Sequence, residues 1–211
     1  RLYLQQNRLT DVRALGRLKL LEELRLSKNQ ISDISALAEL TELTELGLVG
    51  NQLTDVSALA GLTQLKELIL NDNQITGINT LAGLTRLERL SLSGNQLEDV
   101  SALAGLAQLK HLSLNGNKLT DVNALAGLTQ LKCLYLQQNE LTDVSALGML
   151  KQLVLLNIRD NPNLTWIEVD KLMEASPKCK IEHNCKLSVE ESAALIEAAI
   201  RGHVNIPTGE L

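Results

Sequence analysis

The stretch "LKHLSLNGNKLTDVNALAGLTQ", residues 109 to 130, decides the fold, because the 22 residues before it, "LERLSLSGNQLEDVSALAGLAQ", lie over it without a gap. Asn117 has counterparts at Asn7, Asn29, Asn51, Asn73, Asn95, Asn139 and Asn161, each 22 residues from the next. A fixed period of this length is the signature of a solenoid, in which no unit buries its apolar side chains alone and stacking supplies the core. Within one unit Leu112 and Leu114 alternate with polar residues, as in a short strand with one buried face. Val122, Leu125 and Leu128 then recur every third residue, which suits a 3₁₀-like or single-turn return with one apolar edge. The expected fold is an α/β solenoid with a parallel sheet along one side.

Composition agrees with a repeated packing unit. Hydrophobic residues make up 45% of the 211 but aromatics only 1%, with no Phe, so the core must be Leu, Ile, Val and Ala. The net charge of −5 gives no reason to expect a nucleic-acid partner, which would require clustered Lys and Arg. No apolar run approaches the roughly 18 to 20 residues that span a bilayer, so no membrane insertion is expected. Three cysteines make no disulfide framework and are compatible with a reducing compartment. Localisation and oligomeric state stay open.

Asn115, Asn117 and Asp121 beside a glycine could pass for a cation loop, but the period argues otherwise. An Asn at the same step of every coil is buried where the chain bends, and a buried unpaired amide costs on the order of 1 to 3 kcal/mol. Such a residue must have its hydrogen bonds satisfied. Asp11, Asp33, Asp55, Asp99, Asp121 and Asp143 follow four residues later, where a carboxylate can accept from N–H groups of the next turn. Gly77 interrupts this column, and Thr165 falls there in the last unit. Calcium needs carboxylates converging on one point, whereas these lie one per strand spacing. No metal and no cofactor are expected.

The pattern "LxxLxLxxNxLTDVSALAxLTx" resembles the 22-residue leucine-rich repeat of the bacterial internalin type and of the related phosphatase-regulator type, over about residues 1 to 185. The internalin pattern often has Pro where this chain has Ala36, Ala58, Ala102, Ala124 and Ala146. The resemblance implies a right-handed array with the parallel sheet on its concave face and short 3₁₀ or helical returns on the convex face. It also implies that Asn7, Asn29, Asn51, Asn73, Asn95, Asn117, Asn139 and Asn161 form a ladder bonded to backbone groups, and that the concave sheet meets a partner.

Three columns point outward from that sheet by counting. The first is Arg1, Glu23, Glu45, Glu67, Arg89, His111, Cys133 and Leu155; the second is Tyr3, Arg25, Gly47, Ile69, Ser91, Ser113, Tyr135 and Asn157; the third, bordering the turn, is Gln5, Ser27, Val49, Asn71, Ser93, Asn115, Gln137 and Arg159. These columns vary while the inward ones hardly do, so specificity can reside in them. The candidate partner-binding residues are Tyr3, Glu23, Arg25, Glu45, Glu67, Ile69, Asn71, Arg89, Ser91, His111, Ser113, Asn115, Cys133, Tyr135 and Gln137. Glu23, Glu45 and Glu67 stack as an acidic stripe that could recognise a complementary charge pattern, or could only keep the sheet soluble. Tyr is favoured in binding hot spots, and Tyr3 and Tyr135 lie on this face. His111 and Cys133 occupy adjacent strands, roughly 5 Å apart at the backbone. An open sheet without oxyanion donors gives that pair no expected catalytic role.

After the array, residues 1–161, "NPNLTWIEVDKLMEASPKCKIEHN" carries one inserted residue. Ile167, Leu172 and Met173 at helical spacing, then Pro177, predict a capping unit over residues 162–186: a helix and a closing strand near Cys179 to Ile181, with Trp166 in the cap. Cys179, His183 and Cys185 supply three ligands where structural zinc wants four; metal, disulfide and packed thiols stay open. Residues 187–211 predict a tail helix, with Ser188 and Glu191 as a capping box, Val189, Leu195, Ile196 and Ile200 at helical intervals, and Gly202 as C-cap. The tail resembles the lead-in of a further array, and Arg1 enters in mid-strand, so the chain is expected to be part of a longer protein; the alternative is a tail packed on the cap or on a partner. The expected function is a non-enzymatic scaffold that binds a protein on the concave sheet, with a structural spacer or a phosphatase-type regulatory subunit as alternatives.

Overall fold

In the computed structural model, residues 1–186 and 188–193 are described. Each coil opens with a short strand whose leucine points inward, at the centre in every case but the two-residue β1: β1 (Leu2–Tyr3), β2 (Glu23–Arg25), β3 (Glu45–Gly47), β4 (Glu67–Ile69), β5 (Arg89–Ser91), β6 (His111–Ser113), β7 (Cys133–Tyr135) and β8 (Leu155–Asn157). With β9 (Lys180–Glu182) they form one parallel sheet in chain order. Register follows the repeat, Leu46 opposite Leu68 and Leu112 opposite Leu134, so identical side chains stack and seal a dry core. The chain returns through 3₁₀ turns such as Asn123–Gly127, and each after the first, Arg13–Arg17, contributes one buried leucine such as Leu125.

Two polar columns hold the bends. Asn117 Oδ1 accepts from Leu97 N at 3.0 Å, while its Nδ2 donates to Leu114 O at 2.9 Å and Leu92 O at 3.0 Å. The side chain thus fastens its own coil to the one before. Asn7 begins the series: its side chain donates to Gln5 O within its own coil, and its backbone N–H donates to Asn29 Oδ1 of the next. The Asp column works locally: Asp55 Oδ1 accepts from Ser57 N at 2.8 Å, and Asp121 from Asn123 N at 2.6 Å.

A third column carries the bend itself. Gln6, Lys28, Gly50, Asp72, Gly94, Gly116, Gln138 and Asp160, one per coil just before the ladder Asn, have φ between 55° and 64°. Only three are glycine, so this left-handed step leaves a weak mark in the sequence.

At the carboxyl end, α1 (Trp166–Ala175) starts with a capping box between Thr165 and Glu168. Its inward face is Trp166, Val169 and Leu172; Ile167 and Met173, expected inside, are 39% and 40% exposed. The helix packs its far end on the last 3₁₀ turn, which sets its roll: a Cβ at Gly148 would lie 3.2 Å from Ala175 Cβ. Gly148 stands where earlier coils have Ala60, Ala104 and Ala126. The closing strand is displaced by one residue from its expected position, to Lys180–Glu182, and sets Ile181 opposite Leu156. In the tail, Ser188 N donates to Glu191 Oε2 at 2.7 Å and Glu191 N to Ser188 Oγ at 3.0 Å, the reciprocal bonds of a capping box. Glu191 Oε1 also accepts from Ile167 N at 3.3 Å, tying the tail to the start of α1. Leu195, Ile196, Ile200 and Gly202 lie outside the described residues.

Candidate functional site: the outward sheet face

The strand register places Glu23, Glu45, Glu67, Arg89, His111 and Cys133 side by side in one row. The fifteen candidate residues are all half-buried or exposed on the same sheet. They do not form one uniform surface.

Over β1 to β5 the face is charged and internally paired. The acidic stripe is not free charge: Arg25 reaches across it, with Nε 3.2 Å from Glu23, Nη2 2.5 Å from Glu45 and Nη1 3.1 Å from Glu67. Arg1 and Arg89 close the row, 3.4 Å from Glu23 and Glu67 respectively. Tyr3 Oη donates to Glu23 Oε2 at 2.9 Å, and this bond, with Arg25 and Arg1, holds the Glu23 carboxyl below its usual range. Along the rim, Thr44, Lys66, Glu88 and Lys110 line a shallow groove of about 370 Å³ with Glu45, Glu67, Arg89 and His111. Its charges alternate, and Lys110 Nζ lies 2.6 Å from Glu88.

Around β5 and β6 the third column becomes a hydroxyl and amide cluster. Ser93 Oγ lies 2.5 Å from Asn115 Oδ1 and 2.8 Å from Ser113 Oγ, which donates to the same Asn115 oxygen at 2.8 Å. Ser93, counted as outward, is buried by these neighbours.

From β6 to β8 the face loses its carboxylates. Cys133, Tyr135 and Leu155 are half-buried in adjoining positions, and Val154 beside them is 60% exposed. His111 and Cys133 stand opposite each other in register, but no hydrogen bond joins them among the described residues and no carboxylate on these strands orients the imidazole. Partial burial, then Arg89, Lys132 and Lys110, push the His111 imidazole below its usual pKa. Gln137 Oε1 is buried without a donor. Lys132 and Val154 belong to the rim column that precedes the first outward one, which the alternation of strand leucines did not single out; the same 22-residue count reaches them.

The capping cysteines do not assemble a site. Cys179 and Cys185 are unpaired and half-buried against the core, and burial raises both thiols above their usual range. The His183 ring meets the edge of Trp166 at a centroid distance of 5.4 Å. Among the described residues no three His, Cys, Asp or Glu side chains come together as metal ligands.

Known proteins carry the same coil. The model for leucine-rich repeats in two copies matches residues 41–83, 63–105 and 85–127, and a second leucine-rich repeat model matches residues 1–53. No curated protein matches the chain. Among solved structures, internalin C2 of Listeria monocytogenes is 36% identical over 86% of this chain and 79% of its own, with a TM-score of 0.82. Internalin InlF of the same species is 32% identical over 89% of this chain and 55% of its own, with a TM-score of 0.76. The ectodomain of the plant receptor kinase GASSHO1/SCHENGEN3 from Arabidopsis thaliana, in complex with Casparian strip integrity factor 2, is 25% identical over 85% of this chain and 25% of its own, with a TM-score of 0.67.

Proposed function

The chain belongs to the leucine-rich repeat family, with bacterial internalins among its structural relatives, and from that premise we propose that it is a non-enzymatic scaffold that binds a partner protein on its concave sheet. Proteins of this family typically mediate protein–protein interaction. The observation that carries the choice of face is a contrast within one sheet. Inward positions repeat leucine from coil to coil, whereas the outward positions between them change from Glu and Arg to Ser, Cys, Tyr and Leu. Packing constrains the first set; nothing in the core constrains the second. The plant ectodomain in complex with Casparian strip integrity factor 2 supports partner binding by such an array.

A photo-cross-linking side chain placed at Ser91 on the sheet, and in a second variant at Gly105 on a return turn, tests the face. The expected result is a partner adduct from Ser91 and none from Gly105. Adducts from Gly105 alone would overturn the reading, and none from either would favour a spacer.

A further inference from the structure

We propose that strands β6 to β8 form a docking site for an extended, acidic segment of the partner protein that carries an apolar side chain; the proposal rests on the concave-face reading above. The rest of the sheet is already committed. Over β1 to β5 a partner's charges would have to displace ion pairs that Arg25, Arg1 and Arg89 make with the glutamates. Strands β6 to β8 contain no carboxylate, and those on neighbouring segments have partners: Glu88 pairs with Lys110 and Glu182 with Lys180, each at 2.6 Å, and Asp160 Oδ1 accepts from Asn184 Nδ2 at 2.7 Å.

Two cations on this part of the face, Lys132 and Arg159, form no close salt bridge among the described residues, although Arg159 acts through space on Glu182, whose carboxylate is already held by Lys180. They sit on opposite rims, Lys132 just before β7 and Arg159 just after β8. Between them lie the apolar surfaces of Cys133, Tyr135 and Leu155, with Val154 beside Lys132 on the first rim. The Tyr135 hydroxyl has no hydrogen-bond partner among the described residues, unlike that of Tyr3. In a chain of net charge −5 this is a positive island with a greasy centre. The depressed basicity of His111, with three cations and no carboxylate acting on it, agrees with that sign. Two cations outside close salt bridges are too few for a nucleic-acid backbone, but they suit a peptide with two carboxylates. Five residues along a strand and one strand across separate the two rims by roughly 17 Å, a distance that about five residues of extended chain cover. The recognised segment therefore has two acidic residues about five positions apart and an apolar residue between them, set on Tyr135 and Leu155. Tyr is a favoured anchor for such contacts.

The test uses the full 211-residue chain and three labelled synthetic peptides read by fluorescence anisotropy. One has two glutamates five positions apart with a leucine between them, the second has lysines in place of the glutamates, and the third has serine in place of the leucine. The first peptide is expected to bind at least about tenfold more tightly than either other, and to weaken as salt rises from roughly 50 to 300 mM. Tyr135→Ala and the double change K132E with R159E are each expected to lower its affinity by about tenfold, with melting curves confirming that the variants fold. Equal binding of the lysine peptide, no effect of Tyr135→Ala in a folded variant, or no binding of any peptide overturns the proposal. If Ser91 still cross-links a partner in that case, the concave-face reading stands and only this placement fails.

Discussion

Gly47 lies beneath the Arg25 side chain: a Cβ at Gly47 would stand 3.1 Å from Arg25 Cδ and 3.4 Å from its Nη1. The missing side chain leaves a channel across β3, and the guanidinium uses it to reach Glu67 on β4, two strands from its own. One arginine thereby bridges three glutamates that strand register would otherwise stack as like charges, an unfavourable arrangement, and Arg1 and Arg89 supply the other two positive charges of the row.

Arg25→Ala is therefore expected to lower Tm by about 2–4 °C at low salt, and the loss should shrink above roughly 0.5 M NaCl as the exposed carboxylates are screened. Gly47→Val, which keeps every charge but fills the channel, should act in the same direction. Reversing Glu45 and Glu67 together should also cost stability, because both new cations would face Arg25. Thermal melts at two salt concentrations check all three; an unchanged melt for Arg25→Ala at low salt would show that the network contributes nothing.

The left-handed column makes an opposite pair of predictions. Gly116 has φ of 64° and Gln138 in the next coil has φ of 58°, a conformation that costs an L side chain about 1–2 kcal/mol. Gly116→Ala should destabilise by about that amount and Gln138→Gly should recover about 0.5–1 kcal/mol, the gain reduced by glycine's freedom in the unfolded chain. Urea unfolding of the two variants reads the sign directly. Destabilisation by both would mean that the turn does not hold this conformation in solution.

What was legible in the sequence follows from what repeats. Leu112, Asn117 and Asp121 announce themselves because each coil needs the same residue at that step, and the period alone yields strand, return and stacking. Arg25 over Gly47 was not legible, since it joins two positions in adjacent coils that are alike in no other coil. The left-handed step was hidden for another reason: Lys28, Gln138 and Asp160 accept the strain where Gly50, Gly94 and Gly116 avoid it, so the column shows no consensus. In the cap, helical spacing named Ile167, Leu172 and Met173 for the buried face; Leu172 is buried, but the close approach of Ala175 to Gly148 rolls the helix so that Trp166 and Val169 join it while Ile167 and Met173 stay partly exposed. Periodicity predicts a stripe and not which way the stripe is turned.

His111 gives a pH dependence whose sign can be worked out. Burial and the cations Arg89, Lys132 and Lys110 lower its folded pKa, while in the unfolded chain it titrates near about 6.5. Below that value the unfolded state takes up the proton more readily, so stability is greatest above it and falls as pH drops toward the lowered folded-state value. His111→Gln should flatten the curve of Tm against pH in this window. An NMR titration of the His111 ring should show its midpoint below that of a free imidazole; a raised midpoint would require a carboxylate near the ring.

The Asn ladder separates a repeated residue from a needed one. Asn95 accepts from Ile75 N at 3.1 Å and donates to Leu70 O at 3.1 Å and Leu92 O at 3.0 Å, all buried. Asn95→Ala leaves an amide and carbonyls of two coils without these bonds and without access to water, so a loss of about 2–4 kcal/mol is expected. Asn7 occupies the same step of its coil and is exposed, and its side chain donates to Gln5 O, with no bond to another coil among the described residues. Asn7→Ala should change stability by less than about 0.5 kcal/mol. Denaturant unfolding of the two variants side by side decides the matter, since the same substitution at the same repeat position tests what the side chain bonds and not what the column spells. Equal losses at both sites would show that the asparagine acts through its local bend, and the inter-coil bonds would then have no measurable share in holding the array together.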